Sequence, residues 1–312
     1  MTTQTRIADL VANPGVLSNV VTQAFRVKNS LITSGVAVGG PEVDMLMTGG
    51  SQMQGLNFIN KVDTSTFNYS SDDFDEKGPV GKITAGSYMA LRHDINWGWA
   101  YTDLVKMITK YDVRGGLVSA IPMYWSEVAE NLAVASMKGV LAKTAALTTG
   151  AVADAFDLDK LIDAASTMDD PRAQKTLFIS RKTLAKLQKA NRNAYVPAAD
   201  TDLGFDQFAG YNLIITETFG DNLTVVAQNG ALAFGAGLVP GEVGMEIDRD
   251  PNAGNGGGGE ILRTRLSVVV APQGFSYTGA AKPGITGLAT AANWNQVADT
   301  TLIGFRAVKH SA

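Results

Sequence analysis

The chain has 312 residues, 45% of them hydrophobic and 18% charged, with a formal net charge of −4. That length can bury a sizeable core in one large domain or two smaller ones, and the net acidity argues against a protein that grips nucleic acid through a basic face. There is no cysteine and only two histidines, His93 and His310, so disulfides and thiolate metal sites are excluded, and histidine-rich metal sites or hydrolase triads have little to work with.

The charged fraction falls below the average of about 25%. With 33 glycines, this suggests that much of the surface is covered by something other than water, such as other subunits. The opening MTTQTRIADL has no apolar run of signal length, and no window reaches the roughly 18 apolar residues that span a membrane. The expectation is a soluble product of the cytoplasm.

Residues 1–45 are mixed in texture. An amphipathic piece around Val16–Val27 is interrupted on either side by Asn13-Pro14-Gly15 and Gly39-Gly40-Pro41. The segment reads either as an arm that orders on a partner or as a disordered tail. Two runs with strand character follow, Met53–Asp63 and Ile83–Trp97, and between them lies TSTFNYSSDDFDEKGPVG. The pattern predicts a long hairpin with an acidic tip of Asp72, Asp73, Asp75 and Glu76, then Lys77. Structureless loops beyond about 12–15 residues are uncommon unless functional. The acidic run lacks the spacing of a calcium loop; it is either a solvated turn or an ion-pairing contact with a neighbouring subunit.

Thr102 is a candidate cap for a short helix, Asp103–Lys110, with Leu104, Met107 and Ile108 inward. After Asp112-Val113-Arg114-Gly115-Gly116 comes the longest periodic stretch, residues 117–146. Leu117, Ile121, Tyr124, Val128, Leu132, Ala135 and Gly139 recur at spacings of three and four, which predicts an amphipathic helix of roughly 45 Å. Trp125 and the small residues beside it suit close packing. Pro122 either sits in the first turn or kinks the rod.

Beyond Gly150 the texture becomes that of an α+β block. DLDKLIDAASTM (157–168) is helical, with Leu158, Leu161, Ile162 and Ala165 on one face. Thr176–Ile179 is a strand, and Ser180 caps the helix SRKTLAKLQKANR. Tyr211–Thr216 and Leu223–Gln228 are strands, and Asn229-Gly230 predicts a hairpin from the latter into Ala231–Phe234. VGMEIDRD and ILRTRLSVVV are strands, the second alternating through Leu262, Thr264, Leu266, Val268 and Val270. PNAGNGGGGE, residues 251–260, joins them. A last segment holds Trp294 and the strand-like Leu302–Val308.

Little here asks for catalysis. The glycine-rich loop has no GK[ST] ending and a strand follows it, so no helix N-terminus faces an anion; a flexible connection is the plainer reading. Gly235-Ala236-Gly237 lacks the third glycine of a dinucleotide fingerprint, and no HExxH, GxSxG or kinase signature is present. Asp169 and Asp170 read as helix-end charges. Trp97, Trp99, Tyr101 and Trp125 lack the interleaved basic residues of a base-stacking platform. No catalytic residue, metal or cofactor is expected.

The order of elements is distinctive: arm, long hairpin, short helix, long helix, α+β block, strand, glycine-rich loop, strand. In TGGSQMQGLNFI, KITAGSYMALRHDINWGWAYTDLVKMI, MYWSEVAENLAVASMKGVLA, VGMEIDRDPNAGNGGGGEILRTRLSVVVAPQGFSYT and TGLATAANWNQV, taken in order, the chain resembles the major capsid proteins of tailed bacteriophages. That α+β fold is shared with encapsulin shells and the floor of herpesvirus capsids. The resemblance implies an N-terminal arm (1–45), an extended loop (46–96), a peripheral domain with a spine helix (97–150) and an axial domain (151–240). It further implies peripheral-domain strands with the glycine-rich loop (241–275), and a C-terminal segment (276–312) belonging to the axial domain.

The same resemblance implies intersubunit contacts at the loop tip, through Asp72, Asp73, Asp75, Glu76 and Lys77. It implies others at the glycine-rich loop, through Asn252, Asn255, Gly256, Gly257, Gly258, Gly259 and Glu260. Leu117, Ile121, Trp125, Val128, Leu132 and Ala135 would form the spine-helix core. The expected assembly is a shell of hexamers and pentamers that encloses double-stranded DNA without sequence-specific binding, in a virion and with no membrane. A scaffolding protein and a portal are implied, and a decoration protein is allowed. The scaffold is expected to be separate, because no roughly hundred-residue extension precedes the arm. Lys77 and Lys82 lie near the loop, but no cross-link partner is expected. Two other readings remain at this point: an encapsulin-like compartment on the same fold, and a soluble oligomeric enzyme.

Overall fold

The computed structural model describes residues 31, 34–48, 50–59, 62, 64–110, 112–168, 175–190, 195–196 and 206–311. The piece expected around Val16–Val27 and the pair Asp169 and Asp170 lie outside the described residues. Strand β1 (Ala37–Val38) and helix α1 (Pro41–Met47) precede a hairpin of β2 (Met53–Ile59) and β3 (Ala85–Thr102). Helices α2 (Asp103–Thr109) and α3 (Val113–Lys143) follow, then β4 (Thr148–Thr149), α4 (Leu158–Ser166), β5 (Lys175–Ile179) and α5 (Arg181–Ala190). The chain continues through β6 (Tyr195–Val196), β7 (Gln207–Phe208), β8 (Tyr211–Ile215), β9 (Leu223–Gln228) and β10 (Leu232–Gly237). It ends with β11 (Met245–Asp250), β12 (Gly259–Pro272), β13 (Phe275–Tyr277), α6 (Gly284–Leu288), β14 (Trp294–Gln296) and β15 (Phe305–Lys309).

Two main sheets result. One runs β1-β10-β12-β3-β2, with β11 also paired to β12; the other runs β4-β15-β9-β5-β8-β7-β6. Strand β12 serves two environments. Its first half alternates, with Leu262 and Thr264 buried and Arg263 exposed, whereas Val268, Val269 and Val270 are all buried, because both faces are covered there. In the second sheet Ser180 caps α5 as expected, its hydroxyl accepting from the Thr183 N–H (3.3 Å).

Helix α3 begins four residues earlier than its periodicity predicts. Asp112 caps it, accepting the Gly115 N–H at 3.1 Å, and Pro122 lies inside the helix rather than in its first turn. The expected amphipathicity fails in its second half. Leu132, Ala133, Val134, Ala135, Ser136 and Met137 are consecutively buried, so over those six residues no face meets water, while Asn131 and Lys138 on either side stay half-buried. The cause is tertiary: this half lies in one core that includes Leu91, Val268 and Val270 of the first sheet and Phe178, Ile214, Val225 and Phe305 of the second. A helix covered all round has no polar face to keep. Small residues let its partners approach. Trp294 Nε1 donates to Leu288 O (2.7 Å), and both groups lie where a side chain on Gly139 would stand.

Three further expectations are corrected. Asn229-Gly230 does make a turn, with Gly230 at φ +76°, but it does not close a hairpin. Strand β9 already has β5 on one edge and β15 on the other, so β10 has no edge to take. The chain crosses to the first sheet instead. There Gly230 N–H donates to Gly35 O (2.9 Å), and β10 pairs with β1 in parallel and β12 in antiparallel. In α4, Leu161, Ala164 and Ala165 face the core while Ile162 is exposed. In α2 only Val105 is buried; Leu104, Met107 and Ile108, expected inward, face out.

Candidate assembly surface

The hairpin is the most extended feature. Strands β2 and β3 pair in antiparallel register from Met53↔Leu91 to Ile59↔Ala85. Its base is fixed from several directions. Asn57 N–H donates to Glu42 Oε2 (3.1 Å) and Met89 N–H to Ser276 Oγ (3.0 Å). Burial, and then the Glu42 charge, push the Tyr88 phenol up to about 12. Arg92 is buried; it donates to Leu46 O (2.8 Å) and pairs with Asp94 (2.9 Å). Burial alone would raise the Asp94 carboxyl. Hydrogen bonds from Arg92, Ser267 and Gln52 outweigh that and hold it below its ordinary value.

Past Ile59 the support ends. Residues 64–84 contain no strand and are exposed throughout. Phe67 and Tyr69 stack edge to face at 5.4 Å, and Phe74 is 99% exposed. At the tip, Asp73 Oδ1 accepts from Asp75 N–H (3.0 Å), and Asp73 N–H donates to Ser71 Oγ (3.2 Å). These local bonds shape the turn. Among the described residues no cation stands within ion-pairing distance of Asp72, Asp73, Asp75 or Glu76, and Lys77 beside them is exposed.

The glycine-rich connection is a defined turn, not the flexible joint expected. Gly254, Asn255, Gly256 and Gly258 all take left-handed backbone conformations (φ +59° to +84°), which glycine and asparagine adopt at least cost. The N–H groups of Gly256 and Gly258 donate to Asn252 O (3.2 Å) and Ala253 O (2.9 Å). Gly257 sits between them, while Gly259 and Glu260 already belong to β12. The turn packs against the start of α2, where Asp103 N–H donates to Gly258 O (3.0 Å). Thr102 makes no capping bond. Instead Arg249 binds Asp103 (2.7 Å) and Glu260 (3.2 Å), and Glu260 also accepts from the Tyr101 hydroxyl. The Arg249 hydrogen bond holds the Asp103 carboxyl below its ordinary value. Sequence reasoning missed this joint, because its partners lie 146 residues apart.

Of the expected spine-core residues, Trp125, Leu132 and Ala135 are buried, and Leu117, Ile121 and Val128 are half-buried. Trp125 Nε1 donates to Thr264 Oγ1 of β12 at 3.2 Å, tying the helix to the sheet that carries the hairpin. Among the described residues no helix is long and apolar enough to cross a membrane.

No family model matches the sequence, and no curated protein does. Solved structures do match, along most of the chain. The capsid of Ralstonia phage GP4 superposes with a TM-score of 0.62 at 9% identity, over 92% of each chain. The capsid of an empty GTA particle gives 0.57 at 15% identity, over 92% of this chain and 91% of the other. A chain of Microbacterium phage Oxtober96 gives 0.53 at 12% identity, over 88% and 92%. The chain has the tailed-phage capsid fold. Coverage above nine-tenths of each of these neighbours leaves no large part of them unmatched. Identities of 9–15% mean that packing and topology, not particular side chains, carry the likeness.

Proposed function

We propose that this chain is a major capsid protein, which self-assembles into the icosahedral head shell around the double-stranded DNA of a tailed bacteriophage. The observation that carries the reading is the exposed loop 64–84 on a chain of capsid fold: Phe67, Tyr69, Phe74 and Val80 are large side chains that, among the described residues, stay mostly exposed, Phe67 and Tyr69 touching only each other's rings. Soluble monomers seldom leave such patches open. In a shell of hexamers and pentamers each loop lies over a neighbour. The turn at Asn252, Asn255 and Gly256–Gly258, with Gly259 and Glu260, meets other copies as well.

In this reading residues 1–45 are the arm and 46–96 the extended loop; the end of the arm is not free, since Val36, Ala37 and Val43 are buried against their own subunit and Ala37–Val38 pairs with β10. Residues 97–150 and 241–275 form the peripheral domain around the spine helix, and 151–240 with 276–312 form the axial domain. The chain's role is structural rather than catalytic. It is made in the host cytoplasm and ends in the virion, and its net charge of −4 suits a wall that encloses DNA without gripping it, since binding scales with phosphates neutralised. A scaffolding protein and a portal complete the assembly, and a decoration protein is compatible with the outer surface. An encapsulin-like compartment uses the same fold and differs in what it holds. The test is to co-express the chain with the structural proteins of its source and separate the products by sedimentation. Shell-sized particles containing nuclease-protected DNA are expected. Particles loaded with protein and free of DNA would favour the compartment, and only monomers or small oligomers would refute both.

A further inference from the structure

Helix α2 presents Leu104, Met107 and Ile108 to solvent, 51%, 69% and 56% exposed, at the i, i+3, i+4 spacing of a single face. Lys106 and Lys110 are exposed beside them, and among the described residues neither pairs with a carboxylate. The one acid of the helix, Asp103, is taken by Arg249. The surface is therefore apolar in the middle with cations at its side, on a helix held in place by the Arg249 joint and by buried Val105. The loop has the reciprocal character. Phe67, Tyr69, Phe74 and Val80 are exposed among Asp72, Asp73, Asp75 and Glu76, and the loop does not cover its own chain's α2. A rival for the acidic tip is α5, which carries Arg181, Lys182, Lys186 and Lys189 and no carboxylate. Among its described side chains the exposed face has only Ala185 to offer an aromatic ring, so it matches the charge of the loop but not its apolar side chains.

We infer that α2 is the docking site for the loop of a second copy of this chain, with Phe67, Phe74 and Val80 against Leu104, Met107 and Ile108 and the tip carboxylates beside Lys106 and Lys110. The inference rests on the shell reading and names the surface that receives the loop. Every copy supplies both halves, so the contact is head-to-tail and can close into a ring. The apolar pairing fixes where the loop lies, and the charges fix its register and oppose wrong partners.

The absence of native cysteine permits a direct test. The double variant Phe74→Cys with Ile108→Cys is assembled and oxidised, alongside each single variant and Phe74→Cys with Lys189→Cys. Covalent ladders of subunits are expected from the first pair only, and only after assembly. Ladders from the α5 pair instead, or a cross-link within unassembled monomers, would overturn the inference while leaving the shell reading intact; failure of the unmodified chain to assemble would strike the shell reading itself. A second measurement guards against variants that disturb assembly. Lys106→Glu with Lys110→Glu should cut shell yield about tenfold, and adding Asp72→Lys with Asp73→Lys should restore most of it. Unchanged yield in the first variant, or no recovery in the combined one, would contradict the docking.

Discussion

His93 lies on β3 with 7% of its surface exposed, and its Nε2 meets no hydrogen-bond partner among the described residues. Burial pushes its pKa down to about 4, against a smaller upward pull from Asp94. Burial also lowers His310, whose Nε2 faces the Thr224 hydroxyl at 2.9 Å. A folded pKa below the unfolded one means that the unfolded chain binds the extra proton. The contribution of His93 is then fully present above about pH 6.5 and lost as pH falls toward about 4. From a shift between 6.5 and about 4, the loss is on the order of 3 kcal/mol. Denaturant melts of the subunit across that window should show stability falling, and His93→Gln should flatten the fall; an identical pH profile in the variant would contradict this account. Gly139 gives a second prediction at this scale. Its missing side chain leaves room for Leu288 O and the Trp294 indole, so Gly139→Ala should cost about 1–3 kcal/mol through overpacking, read as a lower denaturation midpoint. The burial of His93 was not legible in the sequence, whereas Gly139 was legible as a small residue suited to close packing but its partner was not. His93 shows no sign of burial among its polar neighbours, and the partner of Gly139 is a tryptophan more than 150 positions away.

Helix α3 shows where sequence pattern is informative and where it stops. Its existence and length follow from spacing alone, as do the β2–β3 hairpin, the Ser180 cap and the existence of β11 and β12, though not their pairing. What covers each element does not follow. The three-and-four pattern of α3 marks one buried face, but the second sheet buries the opposite face too, and small residues such as Ala133 and Ser136 give no periodic sign of it. Leu132 is buried in that core; Leu132→Ala should destabilise the subunit by about 2–5 kcal/mol, and a loss below about 0.5 kcal/mol in equilibrium unfolding would place it outside the core. Helix α2 fails in the opposite sense. Leu104, Met107 and Ile108 form an apolar face, and a single chain read alone has nowhere to put such a face but inward. The hairpin expected at Asn229-Gly230 failed for a related reason: turn chemistry is local and the turn forms, whereas the availability of a strand edge on β9 is decided by β5 and β15.

At the scale of the molecule, one core joins both sheets around α3, while among the described residues nothing covers the loop 64–84, the outer face of α2 or the edge strand β11. A well-packed centre with apolar extensions is what a subunit needs when its remaining contacts come from other copies, and weak contacts repeated over many copies add to a stable wall. The fold was legible from the order of elements, because topology survives at 9–15% identity; the proposed contact residues were less so, since a contact of that kind depends on a chain other than its own. The central claim is that this chain builds a closed shell, and electron microscopy of particles purified after co-expression with the scaffold tests it most directly. The account predicts icosahedral shells whose reconstructed density shows hexamers and pentamers of this fold, with residues 64–84 ordered across an adjacent subunit. A homogeneous population of small, open or non-icosahedral oligomers, under conditions where the scaffold itself is folded and present, would contradict it.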